Sequence, residues 1–154
     1  MSARAACRLA GLGFGQVYDY APGKSDWLAR GLPVAGEQKP VVRAKDLVRD
    51  DVVRARPEEP VGEVRARVEQ SPYGFALVVA EGGTLLGRLR KGDLEGDPTL
   101  TGERVMEPGP STVRLDAEAG KLAERLRERG FRTAVVTDPD GRLAGVVRLA
   151  ELEP

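Results

Sequence analysis

An internal duplication constrains this chain more than any other feature. With an offset of 58 residues, Ala44–Leu94 lies over Gly102–Leu152 without a gap. The identities include Arg56/Arg114, Gly62/Gly120, Ala76/Ala134, Val78/Val136, Gly83/Gly141, Leu85/Leu143, Gly87/Gly145 and Arg90/Arg148. One local plan therefore has to serve twice.

Within each copy, Val61, Val64, Val68 and Ala119, Leu122, Leu126 recur at helical spacing with charges between them, which predicts one amphipathic helix per unit. The apolar runs FALVVA and TAVVT come next. Each is followed by a turn, EGG or DPDG, and a second apolar run, TLLGRLR or RLAGVVR, the pattern of a β-hairpin. A short strand around Val53–Arg56 and Thr112–Leu115 completes β-α-β-β. KGDLEG and LAELEP then add a closing helical turn whose acid lies near its N-terminal end, where the helix dipole favours negative charge. The runs ALVV and AVV are apolar on both faces, so each small sheet should be covered on both sides. A unit of about fifty residues is marginal alone, and the two copies are expected to pack as one module.

The 24 Lys and Arg balance the 24 Asp and Glu, so no excess charge argues for nucleic acid as a partner. The absence of histidine removes the commonest general base and the commonest transition-metal ligand together. The single cysteine, Cys7, forms no intrachain disulfide and suits a reducing compartment, which makes cytoplasmic residence the expectation. No stretch approaches the roughly 20 apolar residues of a membrane span, and neither a targeting segment nor a membrane association is expected.

Two β-α-β-β-α units, each closing on Gly-x-apolar-Arg-x-x-acid-Leu, resemble a tandem pair of CBS domains, a Bateman module. The resemblance covers about residues 44–154 and includes the Val-Met start and the AVVTDPDGRLAGVV hairpin of the second unit. It implies an α/β (α+β) fold in which the repeats pack with pseudo-two-fold symmetry. It also implies regulatory, non-catalytic use, with an adenosine nucleotide (AMP, ADP, ATP) or another adenosyl ligand in a cleft between repeats, and a homodimer through the repeats. In the family the closing motif carries a small hydroxyl and an aspartate, the latter on the ribose. Here the first repeat has Arg90 and Asp93, the second Arg148 and Glu151. The candidate contacts implied are Asp93, Arg90, Lys91, Tyr73, Arg148, Glu151 and Thr112. Arg88, Arg90 and Lys91 gather cations beside Asp93, so the first closing motif is the preferred site, with Asp93 on ribose and Arg90, aided by Lys91, on phosphate. Two other readings compete with this one. Arg90–Asp93 and Arg148–Glu151 could be plain i,i+3 surface ion pairs. The arginines could also fill both clefts, leaving a structural interaction module without a ligand. Tyr73 and Phe131 occupy equivalent positions and are expected in a core or an interface.

The chain divides on sequence into residues 1–38, a first repeat at 39–97 and a second at 98–154. The first part reads as helix (RAACRLAGL), strand (QVYDY), helix (KSDWLARGL) and linker (PVAGEQKP). The spacing of Gly13-Phe14, Val17, Tyr18, Gly23, Trp27, Gly31-Leu32-Pro33 and Gly36 resembles the C-terminal tail of a rhodanese-like domain. The cysteine-bearing loop of that family would precede this helix, so the resemblance implies no sulfurtransferase chemistry. Cys7 is then expected as a small packing residue and Trp27 as an anchor. YDYAPGKS and GLGFGQ mimic phosphate-binding motifs but lack the required glycines at Tyr18 and Gln16.

Overall fold

Each repeat folds as its periodicities require. A computed structural model of the chain describes residues 2–35 and 41–152. An N-terminal pair of helices, α1 (Ser2–Gly11) and α2 (Gly23–Ala29), precedes a short helix, α3 (Ala44–Leu47). The first unit then runs β1 (Val53–Ala55), α4 (Val61–Glu69), β2 (Phe75–Val79), β3 (Leu85–Arg90) and α5 (Lys91–Leu94). A connector carrying α6 (Gly102–Val105) and β4 (Glu107–Pro108) leads to the second unit: β5 (Thr112–Arg114), α7 (Ala119–Glu128), β6 (Thr133–Thr137), β7 (Leu143–Arg148) and α8 (Leu149–Leu152). In both units the first strand pairs parallel with the second and the second antiparallel with the third.

Alternation along the central strands sorts side chains into separate cores. Ala76 and Val78 of β2 face the Val61, Val64 and Val68 stripe of α4. Ala134 and Val136 of β6 face Ala119, Leu122 and Leu126 of α7. The intervening positions, Leu77, Val79 and Val135, join Val52, Leu143 and Val146 in a third core between the two sheets. Both faces of each sheet are thus covered. Each fully buried valine or leucine contributes about 1.5–3 kcal/mol relative to exposure.

The hairpin turns meet across the pseudo-two-fold. The Leu85 N–H donates to the Gly141 carbonyl at 2.9 Å, and its repeat mate, the Leu143 N–H, donates to the Gly83 carbonyl at 2.9 Å. Reciprocal contacts of this kind, in which residue i touches j and the mate of i touches the mate of j, define a two-fold relation.

The segments leading into the repeats are exchanged. Helix α3 precedes the first repeat but docks on the second, with the Ala44 N–H donating to Ala117 O (2.8 Å) and the Lys45 N–H to Leu115 O (3.0 Å). Its counterpart α6 docks on the first, with Gly102 N–H to Glu59 O (2.9 Å) and Glu103 N–H to Pro57 O (2.8 Å). The exchange also explains how α4 and α7 begin. Their N-caps, Pro60 and Glu118, make no side-chain cap hydrogen bond. The free N–H groups of the first turn find crossed carbonyls instead: Val61 donates to Leu100 O (2.8 Å) and Ala119 to Val42 O (2.9 Å). The first repeat as delimited in sequence is therefore completed by residues of the second, and the second by residues of the first.

The N-terminal part departs from expectation in two respects. Gln16–Tyr20 is not a strand, because among the described residues no strand edge lies beside it to complete a ladder. The Tyr20 hydroxyl instead donates to Asp26 (2.6 Å) and its ring meets Trp27 edge-on, with centroids 5.0 Å apart. Cys7 is exposed rather than packed, since α1 turns nearly all its surface outward. Trp27 does anchor this segment, its Nε1–H donating to Pro33 O at 2.7 Å. Arg30 ties the segment to the second repeat through Asp140 (2.8 Å). The second half of the expected linker, with Gly36 and the boundary at 38, lies outside the described residues.

Candidate functional site

The two-fold creates two related clefts, one beside the end of β3 and one beside the end of β7. Side chains two apart on a strand share a face, so Arg88 and Arg90 project together from β3 over β4. There Glu107 accepts from both. Arg90 forms a fork, Nε to Oε2 and Nη2 to Oε1, each 3.0 Å, while Arg88 Nη2 reaches Oε2 at 2.8 Å. The hydrogen bond from Arg88 is the main reason that the Glu107 carboxyl is held below its ordinary pKa. Beyond these groups opens a cavity of about 400 Å3, walled by Gly109–Val113, the C-terminal end of α7 and Phe131–Val135. Its lining includes three more arginines, Arg125, Arg129 and Arg132, and the hydroxyl-bearing Thr112. Phe131, at its mouth, is 54% exposed.

The other cleft is built from the repeat mates and is closed. Arg148, the mate of Arg90, lies over the Tyr73 ring, 4.9 Å from its centroid. Its Nη2 donates to the Tyr73 hydroxyl (3.2 Å) and to Asp51 Oδ2 (3.3 Å), and the Tyr73 hydroxyl donates to Asp51 Oδ1. Arg49 closes the ring by reaching Asp51 (3.1 Å) and Glu151 (3.2 Å). Burial, then the bond to Asp51, pushes the Tyr73 phenol up, while the bond from Tyr73 holds Asp51 down. The difference between the clefts traces to side chains at equivalent positions. Where Tyr73 has a hydroxyl, Phe131 has none, and where Asp51 offers a carboxylate, Gly109 has no side chain. Arg148 consequently keeps 33% of its side-chain exposure and Arg90 59%.

The structure thus separates the residues singled out in sequence. Arg90 and Thr112 line the open cleft; Tyr73, Arg148 and Glu151 belong to the closed one. Neither Lys91 nor Asp93 lines the open cavity, and Lys91 runs along α5 toward Glu95 (3.9 Å). Asp93 is not paired with the Arg90 side chain: it accepts from the Arg90 backbone N–H at 2.7 Å. Glu151 does the same for Arg148 N–H at 3.4 Å, with its ion pair to Arg148 at a loose 4.0 Å. The Arg-x-x-acid spacing is first a way to start a helix, the acid at the third helical position reaching back to the free N–H. Asp46 on Arg43 N–H (2.9 Å) repeats it at α3, and Glu59 makes the same three-residue reach to Arg56 N–H (3.1 Å) across a turn. Glu107, Arg125, Arg129 and Arg132 were missed as site residues. The excess of arginine at the end of α7 was the available signal, but helical interleaving with glutamates gave it the look of a solvated face.

Shallow hollows of about 590 and 640 Å3 run along α4 and α7. The first holds Arg67, paired with Glu59, Arg54, paired with Asp50, and Arg56, and the second holds Lys121, bound to Glu118, as its one cation, so neither gathers several unpaired cations as the open cleft does. Among the described residues no group of three or more Cys, Asp or Glu side chains could hold a metal ion. No helix among them is long and apolar enough to cross a membrane.

The family model described as CBS domain matches residues 44–95 and 102–152. A GMP reductase of Mycobacterium bovis is 30% identical over 123 residues, covering 78% of this chain but 26% of that protein. The chain spans about a quarter of the length of the curated relatives it matches first. Among solved structures, the cytosolic domain of the Mg2+ channel MgtE in complex with ATP is 28% identical with a TM-score of 0.63, over 71% of this chain and 47% of that one. A CBS domain protein from Pyrobaculum aerophilum complexed with AMP is similar in fold, at 19% identity and a TM-score of 0.59 over 71% of this chain and 89% of the other.

Proposed function

Because the chain belongs to the CBS domain family and carries two copies of that domain, we propose that it is a non-catalytic regulatory module that senses an adenosine nucleotide in the open cleft beside the end of β3. The observation that carries this reading is the unequal pair of clefts, one filled by Arg148 and Tyr73, the other open and rimmed by arginines. In this reading Arg90 turns from Glu107 to the phosphates, and Asp93 uses the carboxylate oxygen not spent on its backbone cap for the ribose hydroxyls. Thr112 and Phe131 border the base. The structural alternative, in which arginines fill the clefts, then holds for one cleft only, and one nucleotide binds per chain. The AMP and ATP complexes of similar folds support this choice of ligand.

The test is a thermal-shift panel of AMP, ADP, ATP, S-adenosylmethionine, NAD and guanine nucleotides. A ligand at 100 times its Kd stabilises by about 2.7 kcal/mol, which for a chain of this size is a shift of roughly 5–10 °C. Asp93→Asn, which keeps a cap acceptor, should cut the shift for every adenosyl ligand. Arg90→Ala should weaken ATP more than adenosine. A panel without any shift would refute the sensor reading.

The same proposal places the module in the cytoplasm as a homodimer through its repeats. The exposed Phe131 and the outward face of α7 are the surfaces a two-fold partner would cover. A monomer mass in light scattering at tens of micromolar would refute the dimer. The likeness of residues 1–38 to a rhodanese tail rests on sequence spacing and adds no activity.

A further inference from the structure

We propose that Glu107 is an internal stand-in for phosphate, and that the ligand of the open cleft is a nucleoside polyphosphate that displaces it. This rests on the nucleotide reading above and adds the class of nucleotide and the residue that sets it. The charge of the cleft is the first argument. Five arginines, Arg88, Arg90, Arg125, Arg129 and Arg132, line one cavity with a single acidic residue, Glu107. Among the described residues no carboxylate lies within ion-pair distance of Arg125, Arg129 or Arg132, whereas Arg88 and Arg90 are both held by Glu107. A monophosphate brings at most about two negative charges, too few for such a rim. A chain of two or three phosphates brings enough to engage the α7 arginines and the β3 arginines together.

Geometry is the second argument. The fork of Arg90 on Glu107, two N–H···O bonds of 3.0 Å, is the arrangement in which a guanidinium meets a phosphate as readily as a carboxylate. Glu107 therefore keeps Arg88 and Arg90 extended over the cavity in the posture a phosphate requires. It is itself easily displaced: its side chain is 43% exposed and that of Arg90 59%, and exposed pairs of this kind are weak. The closed cleft lacks the device. Its counterpart of Glu107 is Arg49, a cation, and its arginine is bound to Tyr73 and Asp51.

The experiment is calorimetric titration of the full chain with ATP, AMP and inorganic tripolyphosphate, using the unchanged protein, Glu107→Gln and Glu69→Gln. The last removes the same charge from the end of α4. The unchanged protein should bind ATP at least tenfold more tightly than AMP and should bind tripolyphosphate measurably. Glu107→Gln should tighten ATP and tripolyphosphate by about three- to tenfold and AMP by less than twofold, with the gain shrinking as salt rises. Glu69→Gln should change none of the three by as much as twofold. Glu107→Ala is the second variant and should show the same gain. Polyphosphate affinity that is unchanged or weaker in both Glu107 variants overturns the inference, as does equal binding of ATP and AMP, and the nucleotide reading then stands on its own. Failure of all three ligands to bind any of the proteins overturns both.

Discussion

Replacing Gly145 by alanine should be among the most damaging one-carbon changes available to this protein. Gly145 lies in β7 with φ +148°, a value that side-chain-bearing residues rarely adopt. A Cβ built there would overlap the Arg49 carbonyl oxygen, with the Arg49 carbonyl carbon at 2.9 Å and Val48 Cγ2 at 3.0 Å. The obstacle is backbone, and it is the crossed segment that completes the second sheet. Relief requires residues 48–50 to leave β7. That forfeits two hydrogen bonds, Arg49 N–H to Val146 O (2.8 Å) and Val146 N–H to Arg49 O (2.9 Å), each worth about 0.5–1.5 kcal/mol. Backbone strain adds about 1–3 kcal/mol where the glycine conformation persists. A loss of about 2–6 kcal/mol follows, or a fall in Tm of roughly 4–24 °C at about 2–4 °C per kcal/mol. The repeat mate, Gly87, meets backbone at Glu107 O (2.9 Å) but otherwise the movable thioether of Met106, so Gly87→Ala should cost less, about 1–3 kcal/mol. Gly120, in α7, has no atom within 4 Å of a built Cβ and an ordinary φ; Gly120→Ala should stabilise by up to about 1 kcal/mol. Thermal unfolding followed by far-ultraviolet circular dichroism gives the ranking directly. A Gly145→Ala protein melting within about 2 °C of the parent would show that the crossed segment does not hold the repeats together as described.

Tyr73→Phe gives the closed cleft the chemistry of the open one at that position. It should cost about 0.5–1.5 kcal/mol for the lost hydroxyl, and combined with Arg148→Ser it should raise nucleotide stoichiometry from one to two per chain by calorimetry; an unchanged stoichiometry would mean that the plug is not what closes the second site. Acid should release the N-terminal segment before the repeats unfold. Arg30 lowers the pKa of Asp140, its partner on the second repeat, and of Asp26, which holds it within the segment, so the docking through Asp140 is complete above the ordinary carboxylate pKa of about 3.9 and is lost as pH falls through the depressed value of Asp140. Trp27, the only tryptophan, reports it: its fluorescence should change below about pH 4 while circular dichroism holds, and in Asp140→Asn the change should already be present at neutral pH. Fluorescence and circular dichroism moving together in both proteins would refute a separately docked segment.

The repeat, the two amphipathic helices, the hairpins and the closing turns were legible because each depends on residues near one another in sequence. The valine stripe of α4 and the two-sided apolar runs of β2 and β6 dictate their burial whatever partner covers them. The acid of each closing motif was placed correctly at the start of a helix, but its duty as a backbone cap was hidden behind a charge pattern that read equally well as an ion pair. Two things came only from the tertiary arrangement. One is the exchange of α3 and α6, which places the Leu100 and Val42 carbonyls on helices whose own N-caps, Pro60 and Glu118, make no side-chain cap hydrogen bond. The other is the inequality of the clefts. Tyr73 and Arg148 are 75 positions apart, Asp51 and Arg148 97, and the cation-rich wall of the open cleft joins β3 to the far end of α7. Local periodicity reports which face of an element is apolar; it carries no information on which distant charge that element will meet, because that depends on how the crossed segments bring the two repeats together.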